Sequence, residues 1–132
     1  MSAVKQVVPV PELGEGLPFA QCVVAGDFVF IAGQTGIDKD FNVVSHEFGP
    51  QVRRAFENVG VALAAGGSSF DDIVDMTVYL ADARLGREFG EIRREFMGDT
   101  LCASTMICGV NYILPYLLAE IHVTAVRGST HD

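Results

Sequence analysis

QVRRAFENVGVALAAGGSSFDDIVDMTVYLAD, residues 51–82, changes its hydrophobic period once along its length, and that change sets the fold class. In its first half Val52, Phe56, Val59 and Leu63 recur at the spacing of an amphipathic helix, which predicts a helix over 50–65. Pro50 suits the first turn, because its missing N–H would have no helical partner there. Gly66-Gly67 suits the C-terminal end. Ser69-x-x-Asp72 marks a turn or cap. The second half, IVDMTVYL at Ile73–Leu80, is rich in β-branched and aromatic residues and reads as a central strand.

Working outward towards the N-terminus, FAQCVV, the turn AGD and FVFIAG form a hairpin with strands Phe19–Val24 and Phe28–Ala32, ended by Gly33. Phe41–Val44 is a third strand candidate. Residues 1–16, punctuated by Pro and Gly, read as an extended lead-in. On the C-terminal side Asp82 caps a second helix whose apolar face is Leu85, Phe89, Ile92 and Phe96, closed by Gly98. Thr105–Val110 and Leu117–Val126 are the last strands, and residues 128–132 are a polar tail. The order β-β-β-α-β-α-β-β over a single domain, 1–132, predicts an α+β two-layer fold: a mixed six-stranded sheet with both helices on one face. The strands are apolar at nearly every position, so the open sheet face calls for a cover, and self-association is the obvious one.

Composition narrows the functional classes. The 132 residues carry 9 Lys and Arg against 17 Asp and Glu, a net charge of −8, with 49% hydrophobic residues. Disorder is excluded by that apolar content. The acidic balance, with no Lys/Arg run longer than two, argues against nucleic acid as a partner. Thr100–Ala119 has no charged residue, but Ser104, Thr105, Gly109, Asn111 and Pro115 interrupt it, so it reads as two strands and their connection rather than a membrane span. The first residues hold no long apolar run of a signal peptide. Cys22, Cys102 and Cys108 form no disulfide or zinc pattern and read as small buried hydrophobes of a reducing, cytoplasmic compartment.

The segments PFAQCVVAGDFVFIAGQTGID at 18–38, the stretch at 51–82, EFMGDTLCAST at 95–105 and AEIHVTAV at 119–126 occur in an order that resembles the Rid family, also called YjgF/YER057c/UK114. The resemblance implies a chorismate-mutase-like fold and a homotrimer with clefts between neighbouring subunits. It also implies hydrolysis of reactive enamines and imines, such as 2-aminoacrylate, to a 2-keto acid and ammonia without metal or organic cofactor. Carried over one residue at a time, the family's carboxylate on the last strand is Glu120. The backbone of its SGQ turn is at Gly33. Its cleft aromatic is Phe19, which lacks the hydroxyl. Its PARS motif falls on Cys102-Ala103-Ser104-Thr105, with Met106 following as a further substrate contact. The arginine that grips the substrate carboxylate in deaminase members is therefore Ser104 here, and the asparagine of the second helix is Gly90.

Glu120 interrupts an apolar strand, and a carboxylate in such a place needs a reason. Its expected role is proton transfer to an enamine and positioning of water. Without a nearby cation, burial would raise its pKa and favour general-acid work. His122, two residues on, shares its sheet face. It can share a proton with Glu120 or serve as an interface histidine. Neither has a third ligand, so no metal site is expected. Ser104 and Thr105 can hydrogen-bond a neutral group. Arg87, Arg93 and Arg94 read as a solvated helix face partnered by Glu88 and Glu91, or as a source for the missing cation. Tyr112 and Tyr116 flank Pro115 and can rim a cleft or pack against a neighbouring subunit. Two readings remain open: an enamine or imine hydrolase of altered specificity, and a non-catalytic metabolite-binding trimer.

Overall fold

The 18-residue helix α1, Phe48–Ala65, follows the periodicity of the sequence: Val52, Phe56, Val59 and Leu63 are all completely buried. Its end is a tight C-terminal turn. Gly66 N–H donates to Ala62 and Leu63 carbonyls and Ser68 N–H to the Leu63 carbonyl, while Gly67 adopts φ +79°, which a side chain would resist. The chain then enters β4, Ile73–Leu80, as the switch of period predicts. The computed structural model describes residues 4–128, so the last residues of the expected polar tail, 129–132, lie outside them.

The remaining elements are β1 (Lys5–Val8), β2 (Cys22–Ala25), β3 (Phe28–Gln34), α2 (Gly86–Met97), β5 (Ala103–Cys108) and β6 (Ala119–Val126). They form one mixed sheet in the order β1-β2-β3-β6-β4-β5. All neighbours are antiparallel except β4 and β5, which run parallel and are joined through α2. The α+β class, six strands and two helices of the sequence reading are thus present, in the chorismate-mutase-like arrangement. No helix among the described residues is long and apolar enough to cross a membrane.

Several boundaries differ from the sequence reading. Phe41–Val44 is not a strand: only an isolated bridge joins Ile37 and Val43. The Asp38 carboxylate captures the backbone N–H groups of Asp40 and Asn42 at 2.9 and 3.0 Å, and Phe41 turns to φ +65°, so the side chain has replaced a ladder partner. These bonds, with Asn42 the largest contributor, hold the Asp38 carboxyl below its ordinary value. The sixth strand comes instead from the lead-in, where Lys5–Val8 pairs with Cys22–Ala25. Pro9 and Pro11 obscure it, because they end the strand before a period can be read. The strand read from Phe19 begins at Cys22, and β3 runs through Gly33 to Gln34 with a register irregularity after Ile31. Asp82 caps a short 3-10 turn at Ala83–Leu85, accepting from Arg84 N–H at 2.8 Å, and α2 starts after it.

The core lies between the sheet and α1. Val29 and Ile31 of β3, Ile121, Val123 and Ala125 of β6, and Met76 and Val78 of β4 face the helices and are at most 1% exposed. A cluster of Phe56, Phe70, Phe89 and Phe96 joins α1 to α2, with Phe56 and Phe96 stacked at 4.9 Å. Two polar side chains on α1 anchor loops. Gln51, fully buried, donates to the carbonyls of Ser45 (3.0 Å) and Tyr116 (2.9 Å) and accepts from Leu118 N–H at 2.6 Å. Asn58 donates to the carbonyls of Thr35 and Ile37, both at 3.0 Å. The opposite sheet face has no helix on it and exposes Phe28, Phe30 and Val74.

Gln51→Leu leaves the groups at Ser45, Tyr116 and Leu118 without their partner. The expected cost is about 2–4 kcal/mol of unfolding free energy in a urea titration. A loss under about 0.5 kcal/mol, the level of an ordinary surface change, would show that the amide does not anchor these loops.

Candidate active site

Glu120 lies on the helix-free face of β6, between Ala119 and Ile121, which point into the core. In register it stands beside Tyr79 of β4, and His122 beside Thr77. On the other side the carboxylate lies across the backbone of Gly33 in β3. A Cβ built at Gly33 would stand 2.8 Å from Glu120 Cδ. The irregular step in β3 and the missing side chain at 33 together make the bed for this acid. Burial pushes the Glu120 carboxyl above its usual value of 4.5, and His122 pulls it back only in part. No cation forms a hydrogen bond or ion pair with it among the described residues.

Tyr112, in the connection between β5 and β6, closes over this row. Its hydroxyl donates to the Tyr79 carbonyl at 2.6 Å. Burial, with the charge of Glu120 second, pushes the phenol well above its usual 10. Tyr116 does not reach Glu120 by any hydrogen bond. It takes a left-handed backbone (φ +73°) with its carbonyl held by Gln51, and its ring stacks on His46 at 4.0 Å. The sequence reading passed over Gln51, Tyr79 and His46. The available signal was the seven-residue spacing of Gln51 and Asn58, two amides beside the apolar stripe of α1.

Other residues expected in the site lie elsewhere on the chain. Strand β5 pairs Ser104 with Met76 and Met106 with Val78, both core-facing, so Ser104 and Met106 point to the α2 side. Thr105, paired with Thr77, points to the open face with His122. Two strand spacings separate it from β6, about 10 Å. Ser104 and Thr105, adjacent in sequence, therefore serve opposite faces. Gly90 sits on an exposed face of α2, and a Cβ there would meet nothing within 4 Å. Phe19, 50% exposed, lines a groove along the lead-in with Val7, Val10, Leu17 and Gln21.

The solvated reading of the α2 arginines does not fit Arg93. Its guanidinium crosses to β5, donating to Ser104 Oγ at 3.2 Å and approaching Cys102 Sγ at 3.9 Å. The Glu95 carboxylate of α2 pairs instead with Arg53 of α1, in a two-bond fork at 2.8 and 2.9 Å. Two of the three cysteines differ from the sequence reading, while Cys22 is buried as expected. Cys102 is half-buried and Cys108 exposed, because β5 is an edge strand with no helix or neighbour over its outer positions.

A family profile described as endoribonuclease L-PSP matches residues 12–127. A RutC family protein of Pyrococcus horikoshii is 33% identical over 111 residues, covering 83% of this chain and 87% of its own. The crystal structure of yeast Mmf1 is 26% identical and superposes with a TM-score of 0.85, covering 94% of this chain and 99% of its own. A Rid family protein of Yersinia pestis, YyfA, is 21% identical with a TM-score of 0.84, over 93% and 99% of the two chains, and supports the fold alone. With the strand order, the profile and the relative from Pyrococcus horikoshii in agreement, the chain belongs to the Rid (YjgF/YER057c/UK114) family, the endoribonuclease L-PSP family of that profile.

Proposed function

We propose that the protein is a Rid-like deaminase that hydrolyses an enamine or imine intermediate at its C–N bond, with Glu120 as the acid–base group and no cofactor. The observation that carries this reading is a half-buried carboxylate whose pKa is raised by burial, laid over Gly33 on a sheet face free of helices. A carboxyl that keeps its proton above the ordinary range is a general acid for an enamine. It gives its proton to the enamine carbon, and an iminium forms. Water then adds to the iminium carbon as the carboxylate accepts a proton from it. The carboxyl passes that proton to nitrogen, the C–N bond breaks with its electron pair leaving on ammonia, and the hydroxyl proton returns to the carboxylate as the C=O bond of a ketone or keto acid forms.

The two groups of candidate residues occupy opposite sides of one chain. Glu120, Gly33 and Thr105 are on the open face; Ser104, Met106 and Gly90 are on the α2 side. One chain cannot bring them to one substrate. A homotrimer, in which the open face of one copy meets the α2–β5 side of the next, reunites them and covers Phe28 and Phe30. The uncovered apolar face supports this assembly. Ser104 in place of the resembling enzymes' arginine supports an altered specificity, since a hydroxyl cannot form a guanidinium–carboxylate fork. The net charge of −8 works against RNA as a substrate. A cytoplasmic location fits the free cysteines.

The test is keto-acid release from 2-aminoacrylate generated in situ by a dehydratase. Glu120→Gln is expected to lower the rate by roughly 100- to 10,000-fold. Unchanged turnover would end the carboxylate mechanism, and absence of wild-type turnover on this and other enamines would favour a metabolite-binding trimer instead. Gly33→Ala is expected to fold and to lose activity with Glu120 intact, because the new methyl group displaces the carboxylate. Full activity would show that the carboxylate position is not set by Gly33. A pH effect follows from the direction of the shift. A carboxyl raised in the folded state stabilises the fold below 4.5, and that contribution is lost as pH rises through the raised value. The stability of wild type relative to Glu120→Gln should therefore fall with increasing pH above 4.5. A constant difference in thermal midpoint across that window would contradict the raised pKa.

A further inference from the structure

We infer that His122 is a positioning residue of this site: from the next open-face position of β6, its imidazolium supports the Glu120 carboxylate each time the acid gives up its proton. The inference deepens the proposed function by naming a second residue of the acid–base machinery, and it rests on that reading for the reaction the pair serves.

Charged side chains are scarce on this sheet. In its six strands the basic residues are Lys5 and His122, and the acidic ones are Asp75 and Glu120. Lys5 belongs to β1, three strand spacings from β6 in the sheet order, about 14 Å. His122 and Glu120 stand two positions apart on β6, so both leave its open face, about 7 Å apart at the backbone. Ile121 between them is buried in the core on the other side. Within the sheet, His122 is the base that Glu120 can reach.

The neighbouring elements do not supply a substitute. On β4, Tyr79 stands beside Glu120, Thr77 beside His122, and Asp75 beside Thr124. Beyond them β5 presents Ile107, Thr105 and Ala103. On the other flank β3 shifts register between Ile31 and Gln34, opposite this pair, and that stretch holds Ala32 and Gly33, neither of which titrates. Tyr112, from the β5–β6 connection, stays a neutral phenol with its hydroxyl on the Tyr79 carbonyl. Asp75, diagonally across on β4, is the competitor for the imidazole. The electrostatics agree with the geometry: burial raises the Glu120 carboxyl, and the charge of His122 opposes that rise.

The proposed reaction gives this pairing a use. Glu120 is ionised twice in it, after protonating the enamine carbon and after protonating nitrogen. An unsupported carboxylate on a half-buried apolar face is costly. An imidazolium on the next open-face position lowers that cost at both stages without touching the substrate. Imidazole ordinarily titrates at about 6.5, so the support is available up to near-neutral pH.

The test follows two titrations by NMR, of the Glu120 carboxyl and of the His122 ring, in wild type, His122→Gln, His122→Lys, Glu120→Gln and Asp75→Asn. His122→Gln should raise the proton affinity of Glu120 roughly 3- to 30-fold, and His122→Lys should keep it at or below the wild-type level. Glu120→Gln should lower the proton affinity of His122 by the same factor, because one coupling free energy is read from both ends. In the dehydratase-coupled assay His122→Gln should lower kcat roughly 3- to 30-fold and move the alkaline limb of the pH profile upward, and His122→Lys should recover part of the rate. A Glu120 titration unmoved by His122→Gln overturns the inference. So does a His122 titration that responds to Asp75→Asn and not to Glu120→Gln. A changed elution volume in His122→Gln with the Glu120 titration unmoved also overturns it and assigns the histidine to a subunit contact. The two readings fail separately. If an enamine is hydrolysed and neither titration responds to loss of the other group, the deaminase stands and His122 is not the partner. If both titrations respond and no enamine is hydrolysed, the partnership stands and the deaminase does not.

Discussion

One buried side-chain amide ties together the parts of the structure on which the candidate site depends. Gln51 sits in the first turns of α1 with both ends of its amide engaged, and it bonds the loop before the helix to the loop before β6. Gly36 has no room for a side chain because the Gln51 Cγ occupies that place. The left-handed backbone at Tyr116 is held from the same amide, and the Leu118 N–H bond immediately precedes β6. Since β6 carries Glu120, the register of the acid depends on a hydrogen bond made 69 residues earlier in the chain, at Gln51. A fully satisfied buried amide can do this because misplacing either loop leaves polar groups unpaired in a low-dielectric interior.

Much of the architecture was legible where local signals agree with the fold. The stretch 51–82 changes period in the sequence where helix gives way to strand in the structure. Legibility failed where a side chain captured the backbone. At Phe41–Val44 the residue types favour a strand, but Asp38 had already taken the N–H groups a ladder would need. It failed also at Lys5–Val8, where four residues are too few to show a period and the only evidence for a strand is its distant partner, Cys22–Ala25.

The site was legible in a similar, partial way. Glu120 announces itself as an acid in an apolar strand. Its setting does not, because Gly33 and Tyr79 reach it through sheet pairing that no local pattern encodes. The meeting of Arg93 with Ser104 depends on the crossover from β4 through α2 to the parallel strand β5, which folds the helix back over the strand that follows it. Helical spacing alone pointed Arg93 to acidic neighbours on its own helix. Tertiary geometry pointed it elsewhere.

The contact between Gly33 and Glu120 has a consequence for how this chain can change over time. The space above β3 is a single volume shared by two positions 87 residues apart. Adding a methyl group at 33 takes that volume from the glutamate, while shortening the acid to aspartate returns some of it. Neither position is therefore free to drift by itself. The two form one heritable unit, and a lineage that abandons the acid at 120 is released at the same moment from keeping glycine at 33.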